Sequence, residues 1–371
     1  MLRGMLYNPL VHTIFTEEQW AKTTSAWTAW WNHDIGRPML TCQRSRPFQR
    51  PAWWGLMPAI PFEITPEQIA EEIWQNIANT EYFGDSYPAA FMNFGPGDIA
   101  GFVGGEVTPA WNTTWFGPGK WEGRGLREIT PEYDPGNIWF RRVKAVMKTC
   151  VEKFAGRAVV SYTDLGGNLD IAAPLRGTQT LLTDTLDDPG AVRELVGIVT
   201  KLWIRYFDGE HGIIAENGRG FKSWLPMWAP GSTYELQCDF SYMISPAQFD
   251  DLVMPDLTAC CDHIEYPVFH LDGPGILNHL EALLSIGKLR CIQWFAGDNH
   301  AQLGKPSCKW AEVLDRIRGA GKLVQMHGTF PDFMELAKER PLAGYALDIT
   351  GGIPDGMNPA DAMDAIRRAN V

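Results

Sequence analysis

The chain has 371 residues, 45% of them hydrophobic and 20% charged, and its 32 Lys+Arg against 44 Asp+Glu leave a net charge of −12. So acidic a surface repels phosphate backbones, which sets nucleic-acid binding aside, and a chain of this size buries a core without metal or disulfide staples. No apolar run approaches the ~20 residues of a bilayer crossing, and the opening Met1–Pro9 lacks the apolar stretch and small-residue cleavage site of a secretory signal.

In chain order, Thr16 as N-cap with Glu17 and Glu18 in the first turn predicts a helix to about Asn32. A Pro-rich irregular stretch follows over Arg37–Pro61, with the short apolar run Met39–Cys42 inside it. Thr65-Pro-Glu-Gln opens a second helix with Pro66 in its first turn, running to about Thr80. Short apolar runs bounded by Gly or Pro then recur: Ala89–Phe94, Ala158–Tyr162, Tyr234–Cys238, Tyr266–His270, Arg290–Phe295, Lys322–Met326 and Gly344–Asp348. Between them lie helical patterns at Ala191–Phe207, at Ser245–His263 with a capping-box start, and at Leu277–Ile286, Trp310–Ala320, Phe330–Lys338 and Pro359–Asn370.

Strands too apolar for a wet face, alternating with helices, read as a parallel sheet covered on both sides. About eight such units close into a (β/α)8 TIM barrel. The rival, an open doubly wound sheet, lacks support because no GxGxxG follows an early strand. The expected organisation is one domain, 1–371, with an N-terminal helical, Trp-rich extension over 1–85 packing on a barrel core over 86–371. Of the 16 tryptophans, many fall in this N-terminal third, where indole rings serve either core packing or the walls of a ligand pocket. The 7 cysteines show no CxxC and a single adjacent pair, Cys260-Cys261, which fits reduced thiols in a cytoplasmic protein.

In a parallel barrel the active site forms from the loops after the strands, so polar residues just past each run are the candidates. These are Asn93, Asp164, Asn168, Asp239, Tyr242, His270, Asp272, Trp294, His300, His327 and Asp348. The most pointed segment is His270-Leu-Asp272-Gly-Pro-Gly275, where alternation sends His270 and Asp272 to the same side. Such a pair either shares a divalent metal or works as a general base oriented by a carboxylate. A metal needs a third donor, and His327, His300, Asp239 and Cys238 all stand at other strand ends. The plainer reading of many of these residues is turn formation and helix capping.

The succession Asp164-Leu-Gly-Gly with Leu175-Arg-Gly177, the turn Asp188-Pro189, Leu236-Gln-Cys-Asp239 with Ile244-Ser-Pro246, His270-Leu-Asp-Gly273, and Gly321-Lys322 resembles the uroporphyrinogen decarboxylase superfamily from about Trp74 onward. The resemblance implies a barrel with its site at the C-terminal mouth of the strands. It departs from the decarboxylases: Arg37-Pro-Met-Leu lacks their arginine-rich segment, and Asn93 stands where they carry an essential aspartate. The zinc methyltransferase branch, which serves corrinoid proteins, carries His-x-Cys-Gly. Here His270-Leu-Asp272-Gly273 has Asp in place of Cys, and Thr350-Gly-Gly352 has no thiol where a later Cys belongs.

The first expectation from this resemblance is therefore a methyltransferase moving a methyl group between a small methylated substrate and a corrinoid protein. His270, Asp239 and Asp272 would be catalytic, and His270, Asp272 and His327 would hold a divalent metal such as zinc. The second is a carboxy-lyase acting on a carboxylated small molecule, and the third a non-catalytic ligand-binding barrel. The expected partners are a small-molecule substrate, a corrinoid protein and a second copy in a homodimer, with neither nucleic acid nor membrane.

Overall fold

The structure, a computed structural model, describes residues 15–110, 112–297 and 306–370. Eleven strands are assigned among them: β1 Met39–Ser45, β2 Thr80–Gly84, β3 Ala89–Ala90, β4 Glu106–Pro109, β5 Thr114–Gly117, β6 Val159–Val160, β7 Thr233–Leu236, β8 Tyr266–Asp272, β9 Cys291–Phe295, β10 Leu323–Thr329 and β11 Tyr345–Gly351. Seven form one sheet in the order β2-β1-β11-β10-β9-β8-β7, parallel throughout except where β2 runs against β1. The parallel pair β3–β6 and the hairpin β4–β5 stand apart in the pairing. The result is a mixed α/β fold around a mostly parallel sheet, as the apolar runs predict. A closed ring of eight strands is not shown by these ladders, which end at β7 and β2. Isolated hydrogen bonds span the seams: Tyr162 N donates to Lys222 O at 3.2 Å, and Ser86 Oγ accepts from Cys42 N at 2.9 Å and donates to Cys42 O at 3.0 Å.

Helix α1 (Glu17–Trp31) begins at Thr16, whose side chain accepts from Gln19 N while Gln19 caps back. The same capping box at Thr65 opens α2 (Pro66–Ala78), and another at Ser245 opens Pro246–Leu252. The helix expected over Ser245–His263 breaks after Leu252 and resumes at Met254–His263, with Pro255 placed in the first turn of the second piece.

Residues 1–85 are more than a helical extension, because β1 lies inside the main sheet between β2 and β11. The entry into β1 is pinned by Asp85, which takes two bonds of 2.7 Å from Arg37 and one of 2.9 Å from Leu40 N. Trp20, Trp27, Trp30 and Trp31 of α1 are buried in one cluster with Met39, Val159, Cys291 and Leu323, each the first residue of its strand. Helix α1 thus stoppers the N-terminal end of the sheet. Burying one indole is worth roughly 4 kcal/mol before entropic costs, so four of them make this floor a large share of the core. These tryptophans pack; they do not wall a ligand site.

Candidate active site at the strand C-termini

The register of the parallel strands decides which side chains meet. His270 on β8 pairs with Gln293 on β9, Gln293 with Gln325 on β10, His327 with Asp348 on β11, and Asp348 with Thr41 on β1. Paired residues of neighbouring parallel strands share a face, and residues two apart stay on it. His270, Asp272, Gln293, His327, Asp348 and Thr41 therefore gather on the same face near the strand C-termini.

They are joined by hydrogen bonds. Thr41 Oγ1 donates to Asp348 Oδ1 at 2.7 Å, and Asp348 Oδ2 lies 3.2 Å from His327 Nδ1. His327 Nε2 is 2.8 Å from Gln293 Nε2, and Gln293 Oε1 meets His270 Nδ1. The roles follow from this network. An ionised Asp348 only accepts, so His327 carries its proton on Nδ1 and presents a bare Nε2. Gln293 must then donate its NH2 to His327, and its carbonyl accepts from His270 Nδ1–H. The other ring nitrogen, His270 Nε2, keeps its lone pair and stands 3.9 Å from Asp272 Oδ2. The His270 ring meets Trp224 edge-on at 4.9 Å and stacks near Phe295 at 6.5 Å.

His327 and Asp348 border a cavity of about 540 Å³ together with Gln43, Phe91, Lys222 and Trp224. Through Asn76, Ala89 and Phe91 it adjoins an apolar annex of about 250 Å³ that Asn93 and Trp54 help to line. A second annex of about 170 Å³ opens past His327 toward Thr329 and Ser307. Lys222 is buried, and desolvation pulls its ammonium down to about 8 against the opposing pull of Glu235 and Asp348. Glu235 is buried beside it, bonded by Ser223 Oγ, and burial pushes its carboxyl up.

The remaining expected residues sit elsewhere. Asp164 accepts from Gln237 Nε2 at 3.2 Å, and Asp170 accepts from Asp239 N and Phe240 N at 3.0 and 2.8 Å. Burial, together with the nearby Asp239 charge, raises Asp164 and Asp170 to about 7. Asp239 itself is exposed, in an acidic group of its own rather than on the cavity wall with His327. Asn168 is buried and bonded to Thr200 Oγ1 at 2.9 Å, a packing role. Trp294, next to Gln293, points to the other face, is fully buried, and donates to Ser307 O at 3.2 Å. Tyr242 is exposed and lies over Gly275, where a Cβ would fall 2.1 Å from its ring. His300 lies outside the described residues.

The donors do not fit the expected metal. Among the described residues no group of three His, Cys, Asp or Glu is placed to hold an ion. Both His327 nitrogens are engaged, by Asp348 and Gln293, so His270, Asp272 and His327 do not converge on one point. Sequence reasoning passed over Lys222 and gave Gln293 no role. The signal for Lys222 was a lone cation inside the aromatic stretch Phe221-Lys-Ser-Trp224.

No protein-family model and no curated protein matches the chain. Among solved structures it is similar to a methyltransferase from Methanosarcina mazei, with a TM-score of 0.59 and 14% identity over 94% of this chain and 97% of that one. At that identity the likeness is one of fold. Among the described residues no helix is long and apolar enough to cross a membrane.

Proposed function

We propose that this chain is a divergent member of the uroporphyrinogen decarboxylase superfamily, built on the plan of a (β/α)8 barrel, that works in the cytoplasm as a methyltransferase on a small methylated substrate. The observation that carries the reading is the bonded chain Asp348–His327–Gln293–His270, which fixes one imidazole nitrogen, His270 Nε2, beside an aromatic cavity. The shared fold with a methyltransferase supports it.

A methyl group leaves a heteroatom as an electrophilic carbon. The carbon–heteroatom bond breaks, its electron pair stays on the heteroatom, and that atom needs a proton. His270 Nε2, bare in the resting network, first takes up a proton from solvent and then supplies it, while the Gln293 carbonyl on Nδ1 stabilises the imidazolium. The acceptor's lone pair forms the new bond to carbon. By the resemblance the acceptor is a corrinoid on a partner protein that docks at the mouth. Phe91 and Trp224 flank the site, and charge that develops during transfer is met by Lys222 and Asp348 on the same wall. No step is routed through zinc, because among the described residues no three donors are assembled for it.

The buried Lys222 favours a second reading, a carboxy-lyase whose substrate carboxylate it binds. One experiment separates the two: methoxy and methylamino compounds are supplied with a reduced corrinoid, candidate acids are supplied alone, and methylcorrinoid and released carbon dioxide are both measured. Methylcorrinoid that forms with the parent and fails with His270→Ala supports methyl transfer. Carbon dioxide release without methyl transfer overturns it.

A further inference from the structure

We propose that Lys222 anchors the carboxylate of a small organic substrate in the mouth cavity. The inference rests on the reading of that cavity as the substrate site and names the substrate class.

Lys222 is the one Lys or Arg among the described residues that line the cavity. Its ammonium has three donors, yet among the described residues Nζ makes one hydrogen bond, to Ser223 O, and no ion pair within 4 Å. The neighbouring carboxylates are already committed. Asp348 accepts from Thr41 on one oxygen and faces His327 with the other, and Glu235 is bonded by Ser223. A buried cation without a close counter-ion is costly, and its lowered affinity for the proton records that cost. A carboxylate in the cavity would accept the remaining N–H donors and supply the missing charge. The Phe91 ring, 5.9 Å from Nζ, and Trp224 flank the space, which suits a flat or apolar body attached to that carboxylate. The amides of Gln43 and Asn76 border the same space and can bond a second oxygen.

The test is binding of two isosteric pairs, benzoate with benzamide and propionate with propionamide, by calorimetry, with the site mapped from His327 and Trp224 resonances. Each acid is expected to bind at least tenfold tighter than its amide at pH 6.5. That advantage should fall about tenfold per pH unit above about 8, as Lys222 sheds its proton. Asp348 from β11 and His327 from β10 line the same space, and Glu235 from β7 acts on Lys222 from beside it. A gain of negative charge at Glu235 would weaken the acid in the same direction, so the pH limb is assigned to Lys222 by its absence in Lys222→Met. Lys222→Met should erase the preference for the acid and Lys222→Arg should retain it. Should the Met variant not fold, Lys222→Gln, which keeps a polar side chain without the charge, carries the same comparison. Equal binding of acid and amide at the mapped site overturns the anchor and leaves the mouth as the substrate site. Failure of all four probes to perturb His327 or Trp224 overturns both.

Discussion

Asp348 Oδ2 sits 3.2 Å from His327 Nδ1, and this contact dictates which nitrogen of a different histidine, His270, keeps its lone pair. The information passes through the Gln293 amide, which can donate to one imidazole only by accepting from the other. A carboxylate on β11 thereby acts on a ring three strands away.

Asp348→Asn removes the acceptor that holds the His327 proton on Nδ1 and frees Gln293 to turn over. Transfer should drop about 100-fold in kcat with KM little changed, as for the loss of a group that orients an acid or base. Nitrogen NMR of the two histidines checks the cause: His270 should lose its single tautomer while the chemical denaturation curve stays put.

Gln293→Glu places a carboxylate between two imidazoles and should hold both in their charged forms to higher pH. The alkaline limb of the pH–rate profile should move upward relative to the parent. A profile that keeps its position would show that Gln293 is not between the titrating groups.

Asp256, buried and bonded by Thr200 at 2.8 Å, is raised by burial from 3.8 to about 7. Between those values the folded chain keeps a proton that the unfolded chain has shed, so this group's contribution to stability falls as pH climbs through that window. Asp256→Asn keeps an oxygen for Thr200 and carries no charge. Its Tm relative to the parent should be higher at pH 8 than at pH 5, and a constant difference would refute the assignment.

Trp27→Ala should cost about 3–5 kcal/mol in urea unfolding, since the ring is fully buried and its Nε1 donates to Asp85 O at 2.9 Å. Benzoate binding, at the far end of the strands, should survive in the folded fraction.

Asp85→Ala strips three bonds from Arg37 and Leu40 N at the start of β1 and leaves a half-buried guanidinium without its partner. About 3 kcal/mol of stability should go with it. Arg37→Met on the same background should recover part of that loss, because the stranded charge goes too.

The parallel strands were legible because both faces of each are covered, so the apolar runs at Tyr266–His270 and Lys322–Met326 stand out against polar turns. Caps at Thr16, Thr65 and Ser245 were legible because their chemistry is local. β2 and the hairpin β4–β5 were not, since Glu81, Glu106 and exposed Trp115 interrupt any apolar pattern. His270, His327 and Asp348 could be picked as strand-end polar residues. Their wiring could not, because Gln293 joins them through register, a property of neighbouring strands and not of local sequence. The indoles of α1 read equally as pocket or packing until their position beneath Met39 and Leu323 was seen.

With Trp27, Trp30 and Trp31 packed beneath Met39 and Leu323, the N-terminal end of the sheet is closed among the described residues. Spent product must back out by the route that fresh substrate and any docking partner use. Turnover is then a matter of queueing, and product should compete directly with substrate.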